Sequence, residues 1–381
     1  MKTKVLMTAM VLTFAGIPAV AEDAADWQVY IGTYTGGGSE GIYLLHLDGE
    51  TGQIENRGVA AKVENPSFLA LHPTLPCLYS VGDGAIAPDK RGGLVSAFRI
   101  DPAAGSLTLL NQQPTDGRGP CHVAVDRAGR HVLVANYNSG SVNVLPVTAE
   151  GTLEPVCDVE QHEGSSVNPK RQEGPHAHSV TLDGAGKFVF AADLGTDKMM
   201  IYRYDDASGK LEAHEPPCVA VAPGAGPRHF AFHPSGRFAY VVNELGNTVT
   251  AFTYEAEAGR LRAFQSVPTL PDGWEGENTT AEIRVHPSGR FVYASNRGHD
   301  SIAAFAVDEA TGALTGLGQT LTQGRVPRNF NVSPDGRFLL AANQETNTVV
   351  AFRINTDSGT LEPAGGKADV ATPVCVLFRA P

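Results

Sequence analysis

Short apolar runs, each cut off by turn residues, follow one another along almost the whole chain. In the stretch from Gly226 to Leu261, GPRHFAFHPSGRFAYVVNELGNTVTAFTYEAEAGRL, the runs Phe230 to Phe232 and Phe238 to Val242 are split by Pro234-Ser235-Gly236, and Val249 to Tyr254 alternates after Gly246-Asn247. Runs this short, bounded by Gly, Pro and Asn, predict β-strands joined by tight turns. A bend at Gly259 leads to Leu261 to Val267, where charged and polar positions interrupt the apolar ones and predict a fourth strand with a solvent face.

The pattern repeats. It returns from Thr279 as TTAEIRVHPSGRFVYASNRGHDSIAAFAVDEATGAL and from Val326 as VPRNFNVSPDGRFLLAANQETNTVVAFRINTDSGTL. Aligned on the turn glycine, the equivalents Gly129, Gly186, Gly236, Gly289 and Gly336 are 57, 50, 53 and 47 residues apart, a spacing suited to four-stranded propeller blades with loops of varying length. A further unit starts at Asn65-Pro66. The ends supply the seventh: Val29 to Tyr34, Gly41 to Leu47 and Ile54 to Val59 read as the second, third and fourth strands of a unit, and Pro373 to Phe378 as its missing first strand. Pairing them removes the exposed edges of an open sheet. The expected fold is all-β, a seven-bladed β-propeller of four-stranded antiparallel blades, closed by the C-terminal strand completing the N-terminal blade. Because such a ring grows by repetition, residues 22–381 are expected to form a single domain, acting as a monomer.

Composition adds a destination and a partner class. Lys2 and Lys4, the apolar run Val5 to Ile17 and Ala19-Val20-Ala21 before Glu22 have the layout of a cleaved secretory signal, so residues 1–21 are expected to direct export to the periplasm, with cleavage after Ala21. The apolar run is too short to span a bilayer comfortably. The five cysteines, Cys77, Cys121, Cys157, Cys218 and Cys375, are too few and odd in number for a disulfide framework; packing explains them, with one disulfide as the alternative. With 29 basic against 41 acidic residues and no basic run, nothing attracts nucleic acid, and small molecules are the expected partners. The 42 glycines and 25 prolines are what many tight turns require.

In a propeller the first strand of each blade starts, and the second ends, on one face of the disc, so these two repeat positions converge on one mouth of the channel. The first-strand position reads Val374, Ser67, Cys121, His178, Arg228, Ala281 and Arg328 around the ring, and its successor Cys375, Phe68, His122, Ser179, His229, Glu282 and Asn329. The end of the second strand reads Tyr34, Asp83, Tyr137, Leu194, Glu244, Arg297 and Gln344. Arg228, Glu244, Arg297 and Arg328 depart from their equivalents at mouth positions. Guanidiniums around a carboxylate suit an anionic or carbonyl-bearing ligand, since each Arg offers a planar fork of donors; a surface ion-pair network is the alternative. By contrast, Asn136, Asn243, Asn296 and Asn343 recur just before the second-strand position, which favours turn capping, and His72, His233 and His286 lie in a repeated turn at the other end of the inner strands, where a structural role is expected.

His176 and His178 alternate along an extended segment and point the same way, but no Cys or carboxylate cluster completes a zinc site. A ligand or proton-transfer role is expected for one of them, with packing as the alternative and no metal or other cofactor. The formal G-x-S-x-G from Gly37 to Gly41 is flanked by strands on both sides, whereas a nucleophile elbow needs a strand and then a helix; it reads as a hairpin loop. No phosphate-binding or dinucleotide loop is found.

The IGTYT opening, the GPHAHS segment, PRHFAFHPSGRFAYVVNEL, SNRGHDSI and PRNFNVSPDGRFLLAANQ together resemble the lactonase family of seven-bladed propellers, to which bacterial propeller-type 6-phosphogluconolactonase and fungal carboxy-cis,cis-muconate cyclase belong. The likeness covers essentially the whole chain after residue 21. It implies metal-independent lactone chemistry at a His, two Arg and a Glu, matched here by His176 or His178, Arg228, Arg297 and Glu244. In the expected hydrolysis of an aldonolactone, Glu244 is the general base toward water, Arg228 and Arg297 hold the oxyanion, and His178 protonates the ring oxygen. Tyr137, His176, His229, Glu282, Arg328 and Gln344 are the further candidates for binding the lactone or its anionic sugar-acid product. One departure is the export segment, since the family's sugar-phosphate substrate is cytoplasmic. Lactonisation of a muconate-like diacid and a non-catalytic ligand-binding envelope propeller are the competing readings.

Overall fold

Each expected unit folds as a four-stranded antiparallel sheet, and seven such sheets complete a ring in the computed structural model, which describes residues 26–87 and 89–380. The export segment expected at residues 1–21 lies outside the described residues. In blade one the closing strand Pro373–Arg379 is innermost and pairs with Trp27–Thr33, from Gln28 opposite Arg379 to Thr33 opposite Pro373. Gly41–Leu47 and Ile54–Lys62 follow outward. Blades two to seven open on the inner strands Phe68–Leu71, Pro120–Val125, Ala177–Leu182, Pro227–Phe232, Thr279–Val285 and Pro327–Val332.

The burial of each strand follows its rank in the blade. Phe238–Asn243, a second strand, is buried along its whole length because neighbouring blades cover both its faces. The outer strand Arg260–Pro268 buries Leu261 and exposes most of the rest, as its mixed sequence predicts. The apolar core therefore lies between blades: Phe188 and Phe190 of blade four pack with Phe230, Phe252 and Tyr254 of blade five.

Polar side chains lock the blades to one another. His233 Nε2 meets the carbonyl oxygen of Gly289 at 2.8 Å, and His72 and His286 make the same contact with Gly129 and Gly336. A Cβ on Gly289 would lie 2.7 Å from His233 Nε2, at a φ of +77° that only glycine adopts freely. The repeated histidines are thus inter-blade clamps. A second set of clamps comes from second-strand tyrosines, such as Tyr240, whose hydroxyl donates to the Gly312 carbonyl at 3.0 Å. The recurring asparagines are also structural: Asn243 Nδ2 donates to Thr248 Oγ1 and Thr250 Oγ1, both at 2.9 Å.

Between Trp27–Thr33 and Gly41–Leu47 the chain makes one 3-10 turn, Thr35–Gly37, and Ser39 is buried with its hydroxyl 2.6 Å from Thr33 Oγ1. This is the hairpin loop expected there. All five cysteines are free, and Cys77 and Cys375 pack in the interior. No helix among the described residues is long and apolar enough to cross a membrane.

Candidate active site

A β-bulge at the start of the inner strand builds the mouth. In blade five Pro227 pairs with Asn243 but His229 pairs with Val242, so Arg228 is an extra residue in the ladder. The same shift falls at Cys121, His178 and Arg328 in blades three, four and seven. A bulge re-aims one side chain out of the sheet's alternation. It turns these four residues toward the channel mouth, while the next residue in each strand points down the channel.

Glu244 follows the second strand of blade five, and the Glu244 N–H donates to the Gly226 carbonyl at 2.7 Å. Its carboxylate is buried, yet it meets three guanidiniums: Arg171 Nη2 at 2.6 Å from Oε1, and Arg228 Nε at 2.9 Å and Arg297 Nη2 at 3.0 Å from Oε2. Burial alone would raise its pKa. The charges of Arg297 and Arg228, aided by the bond from Arg171, outweigh that and hold it well below the usual carboxylate range. Burial lowers Arg228 and Arg297 below the ordinary guanidinium range, Arg297 to about 9, and each remains cationic at neutral pH.

His178 faces this cluster, with Nε2 3.9 Å from Glu244 Oε2, too far for a hydrogen bond. Burial, reinforced by the charge of Arg228, pushes its pKa well below 6.5 and keeps the ring neutral. On its other side Nδ1 lies 3.7 Å from Cys121 Sγ. That pair is not a thiolate dyad, because burial pushes the Cys121 thiol up to about 12.

Glu244, Arg171, Arg297, His178 and Cys121 line a cavity of about 460 Å³ together with Tyr34, Asp83, Tyr137, Asn138 and Arg328, large enough for a small organic ligand; Arg228 faces a small recess that adjoins it at Tyr34, Cys121 and Arg328. Two donor groups are left open. Arg228 commits Nε to Glu244 and Nη1 to the Ala281 carbonyl and His229, leaving Nη2 without a partner among the described residues. Arg297 commits Nη2 to Glu244 and the Thr280 carbonyl, its Nε is shut off from the cavity, and its Nη1 has no partner among the described residues. Among the described residues Arg328 makes no ion pair; its guanidinium lies 5.4 Å from the centre of the Tyr34 ring.

The residues expected at the site divide into a wall and a support. His178, Arg228, Glu244 and Arg297 meet as expected, and Tyr137 and Arg328 line the cavity. His176 instead stacks flat on Tyr137, with ring centres 4.4 Å apart, and its Nδ1 bonds the Tyr137 carbonyl at 3.0 Å. His229 and Glu282 lie beneath the mouth, buried and bonded to each other at 3.0 Å. Gln344 takes its repeat position by donating its N–H to the Val326 carbonyl, but it does not line the cavity.

Arg171 is the site residue that the repeats do not reveal. It comes from the segment between Asp158–Gln161 and Ala177–Leu182, which is longer than the corresponding connection in every other blade. Ser166 Oγ donates to Asp197 at 2.5 Å and Gln172 Nε2 to the Leu194 carbonyl at 2.9 Å, and these bonds tie the loop down. Gly195 permits its approach, since a Cβ there would lie 1.8 Å from the Gly174 carbonyl oxygen. The available signal was loop length: long ordered loops over a rigid scaffold carry binding residues.

The chain matches the family described as "Lactonase, 7-bladed beta-propeller" over residues 28–378. It is 43% identical over 301 residues to 6-phosphogluconolactonase of Bacillus subtilis, covering 79% of this chain and 83% of that protein. It is 32% identical over 296 residues to 6-phosphogluconolactonase of Formosa agariphila, covering 77% and 82%. The solved structure of a periplasmic gluconolactonase from Pseudomonas aeruginosa superposes with a TM-score of 0.87 at 37% identity, covering 94% of this chain and all of that one.

Proposed function

The chain belongs to the lactonase family of seven-bladed β-propellers and is a lactone hydrolase, and we propose that it opens an aldonolactone with His178 as the base toward water and Arg228 and Arg297 as the oxyanion donors. His178 Nε2 takes a proton from water as the oxygen adds to the lactone carbonyl. The open donors of Arg228 and Arg297 hold the oxyanion that forms. As the tetrahedral intermediate collapses, the bond from carbon to the ring oxygen breaks, and the proton on His178 passes to that oxygen. Water is thus added across the ester, giving the hydroxy acid.

The roles of Glu244 and His178 are exchanged relative to the expectation from sequence. A carboxylate bonded to three guanidiniums is a poor proton acceptor, and a buried neutral imidazole is a poor acid. Glu244 instead fixes both arginines and stabilises the imidazolium formed during turnover. The observation that carries this reading is the neutral His178, with a free Nε2, beside two guanidiniums held by one buried carboxylate. Muconate-type lactonisation fits less well, because it asks the saturated Glu244 to move a proton on carbon.

Four guanidiniums against the carboxylates of Glu244 and Asp83 leave the mouth positive in a chain of net charge −12. That excess favours a lactone bearing an anionic group. The layout of residues 1–21 and the periplasmic relative support export; mass spectrometry of the native protein is expected to find an N-terminus near Glu22, and a full-length cytoplasmic protein would oppose it. The function is tested by offering purified protein gluconolactone, its 6-phosphate and a muconolactone, following acid release above the spontaneous rate. Turnover of an aldonolactone is expected; activity confined to the muconolactone, or none at all, contradicts the proposal.

A further inference from the structure

Beneath the mouth the inner strands of four blades share one directed chain of hydrogen bonds. It starts on the closing strand, where the Val376 N–H donates to Asn329 Oδ1 at 2.8 Å. Asn329 Nδ2 donates to Glu282 Oε2, which also accepts from His229 Nδ1 at 3.0 Å. His229 Nε2 accepts from Arg228 Nη1 at 3.2 Å, and Arg228 Nε donates to Glu244 at 2.9 Å. Asn329, Glu282, His229 and Arg228 are all buried.

The chemistry leaves this chain only one direction. A guanidinium has no acceptor, so His229 Nε2 must offer its lone pair to Arg228. The proton then sits on Nδ1, and Glu282 is the acceptor. At the far end the Val376 N–H requires the oxygen of the Asn329 side chain, which turns the amide nitrogen toward Glu282. The second oxygen of Glu282 accepts the Ile283 N–H at 3.0 Å, and Arg284 approaches the first at 3.4 Å. A fully buried carboxylate is costly, and the fold does not require one here, since equivalent positions hold Phe68, Ser179 and Cys375.

We propose that Glu282, His229 and Asn329 are positioning residues that fix the plane of Arg228, aim its open Nη2 at the reacting carbonyl, and thereby couple closure of the ring to the oxyanion site. This rests on the reading of Arg228 as an oxyanion donor. The relay limits what each substitution can do. Glu282→Gln keeps the shape but must turn an amide nitrogen toward either the donors His229 and Asn329 or the Ile283 N–H. His229→Asn keeps a donor near Nδ1 and loses the acceptor for Arg228, whereas His229→Gln keeps an acceptor near Nε2.

The test uses the whole protein with ¹⁵N-labelled arginine, the Arg228 side-chain signal being assigned by its loss in Arg228→Lys. A slowly exchanging Arg228 Nε–H is expected in the parent, broadened or lost in Glu282→Gln and His229→Asn, and better retained in His229→Gln. On a hydrolysed lactone, Glu282→Gln is expected to lower kcat roughly tenfold with little change in KM, and to have much less effect in an Arg228→Lys background, as contacting residues of one network do. An Arg228 signal unchanged in Glu282→Gln and His229→Asn, or equal losses in both backgrounds, overturns the relay. If Glu282→Gln does not fold, the two His229 variants decide through the same signal and their relative kcat. Absence of lactone turnover in the parent would refute the functional reading, while the arginine signals still decide the relay.

Discussion

Arg171 Nη2 lies 2.6 Å from Glu244 Oε1, so a loop leaving the outer edge of blade three reaches over the mouth to a carboxylate of blade five. The same Nη2 donates to the Tyr137 hydroxyl at 3.2 Å, and His176 stacks behind that ring. The loop, the tyrosine and the histidine form one wall of the site.

Replacing Arg171 with Met keeps the aliphatic stem and removes the charge. Because the side chain is 39% exposed, the melting temperature should barely move, as for most surface changes. Loss of one charge-assisted bond at the site should lower kcat/KM by about tenfold. Steady-state kinetics and a thermal melt together check this; unchanged kinetics would remove Arg171 from the site.

Glu244→Gln leaves Arg228 and Arg297 buried without their anion, which should destabilise the protein by about 3–5 kcal/mol. The depressed folded pKa of Glu244 gives a sign to the acid dependence. Its contribution is complete above the ordinary carboxylate value near 4.5 and is lost as pH falls below it toward the folded value. Melting curves from pH 6 down to about 3 should therefore show a steeper loss in the parent than in Glu244→Gln.

Arg328 carries an unpaired charge at the edge of the cavity. Arg328→Ala should raise KM for 6-phosphogluconolactone by about tenfold and leave KM for unphosphorylated gluconolactone nearly unchanged, the loss expected for one charge-assisted contact. Equal changes for the two substrates would show that Arg328 does not recognise the anionic group.

Removing residues from Pro373 onward strips the inner strand from blade one and exposes the Trp27–Thr33 edge. It also removes Val376, the first donor of the buried relay. The truncated protein should melt far below the parent, and equal melting temperatures would contradict closure by this strand.

The ring and its closure were legible because a repeat sets the same strands, turn glycines and histidine clamps in each unit. The mouth residues were legible for the converse reason: Arg228, Glu244 and Arg297 stand where the repeat does not ask for them. Less could be read from what the repeat does not encode. Arg171 lies in an inter-blade connection whose length differs from blade to blade, so the repeat gives it no aligned position. The bulge that raises Arg228 sends His229 below the mouth, and a separate register shift between Thr280 and Ile283 accompanies Glu282 in the next blade; period-two alternation alone cannot show either. The charge states of Glu244 and His178 depend on burial and on neighbours from other blades, which the sequence does not display, and this is why the proposed mechanism gives these two residues different roles from those expected from sequence.

The most direct test of the proposed chemistry is the pH dependence of kcat/KM for lactone hydrolysis, corrected for the spontaneous rate, in the parent and in His178→Asn. With His178 as a neutral base of depressed pKa, the parent rate should stay level from neutral pH to below 6.5 and fall only as the imidazole is protonated. His178→Asn should lose about 10²–10⁴ of the rate. Full turnover in His178→Asn, or a parent rate that rises as the imidazole gains its proton, would contradict the assignment.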